Sequence, residues 1–424
     1  MSSGLYESLV SKKMLVRHEE VKQDFFPNFP ITLITNSPIV LKPEIIPFIS
    51  YPYEWCFSQL KVAALLTLNI QKEALKHGMS LKDASAYNIQ FIGTNPIFID
   101  TLSFEKYEEG KPWIAYRQFC EHFLAPLSLM VFKHSGLSKL SQIYLDGIPL
   151  ELACSLLPKS SFLNSVAFSH LHIHSKFQNR NTDITNSKKS ALSLSKKKLL
   201  TIIEHLERGI MDFNLKKKKS TWNNYGETHN YSAAGKEAKS KIISEWLRKL
   251  SPSSVWDLGC NTGEFSLAAC KHAKQLISMD SDFECIEALY KNVSKQKLNI
   301  LPLAVDITNP SPSIGWNNRE RKSIPERGKA DVLLALAVVH HLRITNNTPF
   351  HLIADLFSEW GNNIIVEFIP KEDSQIQRIL SNREDIYHDL DIESFRRIFE
   401  NKFEFMETLQ LPDSKRTMCL LKKK

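Results

Sequence analysis

The stretch VWDLGCNTGEF, Val255 to Phe265, constrains the fold of this chain more than any other. An apolar run ends on an acid, a turn carries two glycines, and an apolar helix opens directly afterwards. Gly259 and Gly263 remove Cβ atoms where the backbone must turn sharply and lie close to a ligand. A strand, turn and helix in that order form an α/β unit. In an open parallel sheet, ligands bind outside the carboxyl ends of such strands.

The alternation continues to the end of the sequence. QLISMD reads as a second strand, NILPLAVD as a third, DVLLALAVV as a fourth and NNIIVEFI as a fifth. Helical stretches such as FSLAACKHA and FECIEALYKNVSKQ lie between them. Apolar strands spaced by helices indicate a parallel sheet covered on both faces. KFEFMETLQ and KRTMCLLKK, separated by LPDS, read as a hairpin that adds an antiparallel strand.

The spacing in the turn narrows the ligand. A dinucleotide fingerprint would read G-x-G-x-x-G, with a pyrophosphate on the helix N-terminus. This chain has D-x-G-x-N-x-G, and an acid before the first glycine opposes a pyrophosphate but suits an ammonium group. No G-K-[ST] follows, which excludes a P-loop. Asp280 closes the second strand, where a carboxylate can accept from ribose hydroxyls. Asp306 closes the third, where it can accept from an exocyclic adenine amine.

With these residues in place, the sequence resembles the class I S-adenosylmethionine-dependent methyltransferases. VWDLGCNTGEF matches their first motif, SMDSD the second and AVDI the third, and ADVLLALAVVHHL is similar to their fourth-strand segment. The resemblance covers about residues 230 to 424 and implies a Rossmann-like, seven-stranded domain. It implies that Asp257, Gly259, Cys260, Asn261 and Gly263 hold the methionine part of S-adenosylmethionine. Asp280 would take the ribose and Asp306 the adenine end. Upstream, Tyr225 and Tyr231 either close over the cofactor or pack as core aromatics.

Methyl transfer from a sulfonium needs a nucleophile placed in line and sometimes a proton acceptor. His340 and His341 follow the fourth strand, and either is a candidate base or a packed turn residue. Glu367 at the end of the fifth strand is a further polar candidate. The polar insert PSPSIGWNNRERKSIPERGK carries Trp316, Arg319 and Arg321, which suit an acidic or aromatic substrate or simply a surface loop. The family's adenine- and glutamine-modifying branches carry an Asn/Asp-Pro-Pro-aromatic loop after the fourth strand, and ALAVVHHL stands there in this chain, so the resemblance disfavours those acceptors.

The N-terminal region, 1–180, is expected to be a mostly helical α+β accessory domain, and 181–231 a lysine-rich linker and helix before the α/β domain at 232–424. Asp83 and Asn88 stand in D-x-x-x-x-N spacing, and Asp100 follows the β-like runs QFIG and PIFID. This weakly resembles the catalytic loop and metal-binding Asp of protein kinase-like and aminoglycoside phosphotransferase-like proteins. Leu81 stands where His or Arg is usual and no glycine-rich loop precedes it, which favours a degenerate relic used for structure or substrate binding over phosphotransfer and leaves a plain hairpin with chance spacing as the alternative. His170, His172 and His174 alternate as though lining one side of a strand, either to bind a metal or as a polar face. No ligand set points to a resident metal.

Composition bounds what remains. The 424 residues exceed one ordinary domain, and 43% apolar with 24% charged residues is the balance of a soluble protein. No apolar run is long enough for a membrane span, and no secretory signal is read at the N-terminus. Seven scattered cysteines without a CxxC pair suggest free thiols in a reducing cytoplasm. The net charge of +8 permits an RNA partner, with Lys188, Lys189, Lys196 to Lys198 and Lys216 to Lys219 as its footprint. The expectation is therefore a cytoplasmic methyltransferase whose N-terminal domain selects a small-molecule or protein acceptor. The alternatives are an RNA methyltransferase and a non-catalytic S-adenosylmethionine-binding scaffold.

Overall fold

The computed structural model describes residues 3–21, 40–176, 194–215, 232–381 and 384–424. The contacts divide the chain into two units. The first comprises Met1–Pro52, Leu60–Ile92 and Pro96–Asn214, and the second Tyr53–Gln59, Gly93–Asn95 and Leu215–Lys424. Tyr225, Tyr231, Lys188, Lys189 and Lys216 to Lys219 lie outside the described residues.

The first unit is chiefly helical. Its long helices are Phe57–Lys76, which begins in the segment given to the second unit, and Lys196–Asp212. A third helical run spans Tyr116–Phe119, a π-helical turn at Cys120–Leu124, and Ala125–Phe132. Short strand pairs accompany them, His18–Val21 with Val40–Pro43, Met79–Leu81 with Phe104–Lys106, and Ile89–Ile92 with Asn95–Phe98. The lysine-rich helix forms because Ser195 caps its N-terminus and Leu199, Ile203, Leu206 and Ile210 repeat at helical spacing and are buried. Gly209 lets it close on Val166, since a Cβ there would stand 1.9 Å from a Val166 methyl.

The histidine triplet is not on a strand. Ser165–Ala167 and the π-helical Phe168–Ile173 carry it, because Val166, Ala167 and Leu171 are buried at helical intervals and override the short alternation. The three side chains therefore do not line one face. His170 bonds Tyr116 at 2.6 Å and His205 at 2.8 Å, whereas His172 stacks on Phe162 and reaches Ser161 Oγ at 2.8 Å. Among the described residues no group of three or more His, Cys, Asp or Glu is arranged to hold a metal ion.

The second unit is built on one seven-stranded sheet. Its strands are β1 (Ser254–Leu258), β2 (Gln275–Asp280), β3 (Ile300–Ala304), β4 (Ala330–Ala335), β5 (Gly361–Phe368), β6 (Phe403–Gln410) and β7 (Thr417–Lys423). Their spatial order is β3-β2-β1-β4-β5-β7-β6. The first five run parallel, and β7 pairs antiparallel with both β5 and β6, as the C-terminal hairpin required. The parallel strands and the hairpin are those the alternation indicates, and their number makes this the Rossmann-like, seven-stranded α/β architecture that the family resemblance implies. The order reverses between β1 and β4, so the carboxyl ends of those two strands flank the switch point where ligands of such sheets bind.

The helices needed below are α1 (Ala233–Leu250), α2 (Glu264–Ala269), α3 (Phe283–Gln296) and α4 (Phe350–Trp360), followed by α5 (Ser374–Leu380). Ser232 caps α1 by accepting from Gly235 N, and its buried residues Gly235, Lys239, Ile243, Trp246 and Leu247 fall on one stripe. Asp282 caps α3 by accepting from the amides of Glu284 and Cys285. Within this unit Glu54 forms a bidentate, fully buried pair with Arg327 (2.7 and 2.8 Å), which fixes the end of the polar insert. No helix among the described residues is long and apolar enough to cross a membrane.

Candidate functional site

The turn after β1 is held in a conformation that its sequence anticipates. Gly259, Asn261 and Gly263 have φ of 68°, 51° and 83°, the left-handed region that favours Gly and tolerates Asn. A Cβ on Gly259 would meet a Val338 methyl at 2.7 Å, and one on Gly263 would meet a Leu289 methyl at 2.2 Å. The turn is thus pressed against both the β4 exit and α3. Met279 O accepts from the amides of Gly259 and Cys260 at 2.8 and 3.0 Å, which ties the turn to β2.

Asp257 is almost wholly buried beneath this turn, with 2% of its surface exposed. Ser266 on α2 donates to its carboxylate at 2.5 Å, and Ser278 on β2 donates to Ser266 Oγ at 2.9 Å. Burial pushes the Asp257 carboxyl up to about 7, against the opposing pull of the Ser266 bond and the Lys239 charge. Asp280 bonds across the turn: its two oxygens accept from Asn261 N at 2.8 Å and Asp282 N at 2.9 Å. Burial raises its pKa, and those two amides oppose the rise. Cys260 is buried, and burial together with the Asp280 and Asp257 charges pushes its thiol far up, so it is a packed thiol and not a nucleophile.

The remaining expected residues fall in different environments. β3 stops at Ala304, so Asp306 stands two residues beyond its end, exposed, with its carboxylate accepting from Thr308 N and Thr308 Oγ1. His340 is 2% exposed, and its Nδ1 has no hydrogen-bond partner among the described residues. Burial, with His341, Arg416 and Lys239 nearby, holds its pKa well below the ordinary histidine value and keeps it neutral. His341 lies 4.1 Å from it, ring centre to ring centre, and burial lowers its pKa also. Trp316 is 86% exposed in the insert, where its amide donates to Glu320, and Arg321 pairs with the same glutamate.

Glu367 is wholly buried and ion-paired. Lys239 Nζ stands 2.7 Å from its carboxylate, Arg416 stands 3.6 Å away, and Arg416 pairs in turn with Asp373 at 2.8 Å. Sequence reasoning missed Lys239, Arg416, Ser266 and Ser278. Lys239 had a signal, since it occupies an apolar-stripe position of α1, four residues from both Gly235 and Ile243. Arg416, in the hairpin loop, had none.

In the first unit, Asp83, Asn88 and Asp100 are engaged locally. Asp83 accepts from Ser85 N at 2.9 Å, while Asp100 accepts from Leu102 N at 2.8 Å and from Ser103 Oγ at 2.5 Å. Asn88 Nδ2 donates to the same Ser103 hydroxyl at 3.4 Å.

No family model matches the sequence. Among solved structures, the chain is similar to the N-methyltransferase NodS of Bradyrhizobium japonicum WM9 at 13% identity and a TM-score of 0.33, covering 45% of this chain and 98% of that one. It is likewise similar to magnesium protoporphyrin IX methyltransferase of Synechocystis PCC 6803, at 15% identity and a TM-score of 0.33 over 45% of this chain and 84% of that one. A curated relative is far nearer in sequence: 35% of 384 residues are identical, over 89% of this chain and 81% of the relative. That relative is the nodulation protein NoeA of Rhizobium meliloti (strain 1021), and the chain belongs to its family.

Proposed function

We infer that the second unit is an S-adenosylmethionine-dependent methyltransferase domain, and that the first unit selects its acceptor, a small molecule or a protein. One observation carries this reading. A left-handed glycine turn lies over the buried acid Asp257 and is bonded at Asn261 N by a second acid, Asp280. The two cradling glycines leave room that a Cβ would fill, and the acids suit a ligand with an ammonium at one end and ribose hydroxyls along its middle. Asp257 would accept from the ammonium, Asp280 would accept from the ribose with its free lone pairs, and Asp306 would serve the adenine edge.

Bound there, the cofactor supplies an electrophilic methyl group. The chain's task is to align the acceptor and, where the acceptor carries a proton, to receive it. His340 and His341 are the candidates for that step, since a neutral imidazole can take a proton. Trp316 and Arg321 are candidates for acceptor binding. Glu367, committed to Lys239, supports the site from beneath.

Membership of a nodulation protein's family supports seeking the acceptor among molecules made for that process. The test is incubation of cell extract with methyl-labelled S-adenosylmethionine and the purified protein. Label entering a small-molecule or protein fraction supports the reading, and label in RNA redirects it. Tight cofactor binding without transfer to any fraction would make the chain a binding scaffold.

A further inference from the structure

We propose that Lys239 is the positioning residue for the acid beneath the glycine turn: its buried ammonium, clamped by Glu367, keeps Asp257 available as a carboxylate for the ammonium group of S-adenosylmethionine. This inference rests on the cofactor reading above.

Strand register brings the participants to one face of the sheet. Asp257 pairs with Ser278 on one side and Leu334 on the other, and Leu334 pairs with Ile365. Residues in register on parallel strands point the same way, and those two apart on one strand do too. Ser278, Asp257 and Glu367 therefore share a face. Arg416, two residues before Glu367's partner Met418, follows the same phase. Lys239 descends on this face from α1, with Nζ 2.7 Å from Glu367 and 4.1 Å from the centre of the Phe265 ring. Phe265 adjoins Ser266, whose hydroxyl holds Asp257.

The groups that shift Asp257 come from three neighbouring elements: Ser266 from α2, Lys239 from α1 and Asp280 from β2. Lys239 is the cation of that set. A buried acid without a cation takes up a proton and then cannot receive an ammonium ligand. A buried ammonium without a carboxylate sheds its proton, which is what Glu367 prevents. Lys239, Arg416, Glu367 and Asp373 together carry no net charge, so the network can lie buried while still directing one cation towards Asp257.

The experiment is titration calorimetry of S-adenosylmethionine binding between pH 5.5 and 9, with folding of each variant checked by thermal melting. Wild-type affinity is expected to rise about tenfold per pH unit until Asp257 is ionised. The double variant Lys239→Met/Glu367→Gln keeps the network neutral. It is expected to move the midpoint up by about one pH unit, with affinity about tenfold lower at the acid end. Glu367→Gln alone leaves the buried Lys239 ammonium without its carboxylate, so Lys239 sheds its proton and the midpoint is expected to move up as well. A structural role would weaken binding equally at every pH. A midpoint unmoved in whichever variant folds overturns the proposal, whereas no binding by the wild type at any pH overturns the cofactor reading itself.

Discussion

Two sets of acidic residues in this molecule have motif-like spacing, and the structure treats them differently. Asp257 and Asp280 in the second unit are drawn into a site where burial opposes their charge, beneath a backbone held in left-handed conformation. Asp83 and Asp100 in the first unit sit in ordinary turns, accepting from amides two residues on and, for Asp100, from Ser103. Spacing alone made both look functional. What separates them is whether the surroundings work against the charge, since a buried carboxylate lacking a full set of donors is maintained against folding stability and needs another reason to be there.

The strongest test of that contrast removes the buried cation. Lys239→Met leaves Glu367 facing Arg416 at 3.6 Å, and breaking a buried pair from one side is expected to lower stability by about 3 kcal/mol or more. Urea unfolding would read this, and a loss below about 1 kcal/mol would mean that the network is not what holds this end of the sheet. Gly263→Ala comes next. A Cβ there meets Leu289 at 2.2 Å with φ at +83°, and strain plus overpacking are expected to lower stability by about 2–3 kcal/mol.

Asp257→Asn gives the third and most diagnostic effect, because its sign is unusual. The folded-state pKa, about 7, lies above the ordinary carboxylate value, so the native protein holds a proton that the unfolded chain has released. The stability this contributes is full below the ordinary carboxylate pKa and is lost as pH rises through about 7. Replacing the acid with a neutral amide removes that loss. At pH 8 and without cofactor, Asp257→Asn is therefore expected to gain about 4 kcal/mol over wild type relative to their difference at pH 4, while binding S-adenosylmethionine about a hundredfold more weakly. A difference that does not change with pH would show that Asp257 is ionised throughout.

Most of the second unit was legible because each element there satisfies several requirements together. QLISMD is apolar along a strand's length, ends on an acid and precedes a capped helix, and it forms β2 with Asp280 as its last residue. The glycine turn was legible because few residues other than Gly and Asn tolerate its φ angles. The histidine triplet misled because an alternation of three residues is shorter than the helical repeat around it. The support beneath the site stayed hidden for a different reason. Lys239, Glu367 and Arg416 lie 128 and 49 residues apart along the chain and meet only through the strand order and an antiparallel hairpin. No local pattern encodes such a meeting.

The smallest expected effects belong to the other set of acids. Asp83→Asn keeps an oxygen that can accept from Ser85 N, so its stability change should stay within about 0.5 kcal/mol. Asp100→Asn also keeps an acceptor for Leu102 N but gives up the charge in its bond from Ser103, which is expected to lower stability by about 1 kcal/mol. Neither change should alter the pH dependence of S-adenosylmethionine binding, because neither residue is among the groups that shift Asp257. Denaturation of both variants, alongside the same calorimetric titration, checks this directly. If Asp100→Asn instead raised stability by 1 kcal/mol or more, its carboxylate would be working against the fold as Asp257 does. The contrast between the two regions would then fail, and the first unit's acids would need a function of their own.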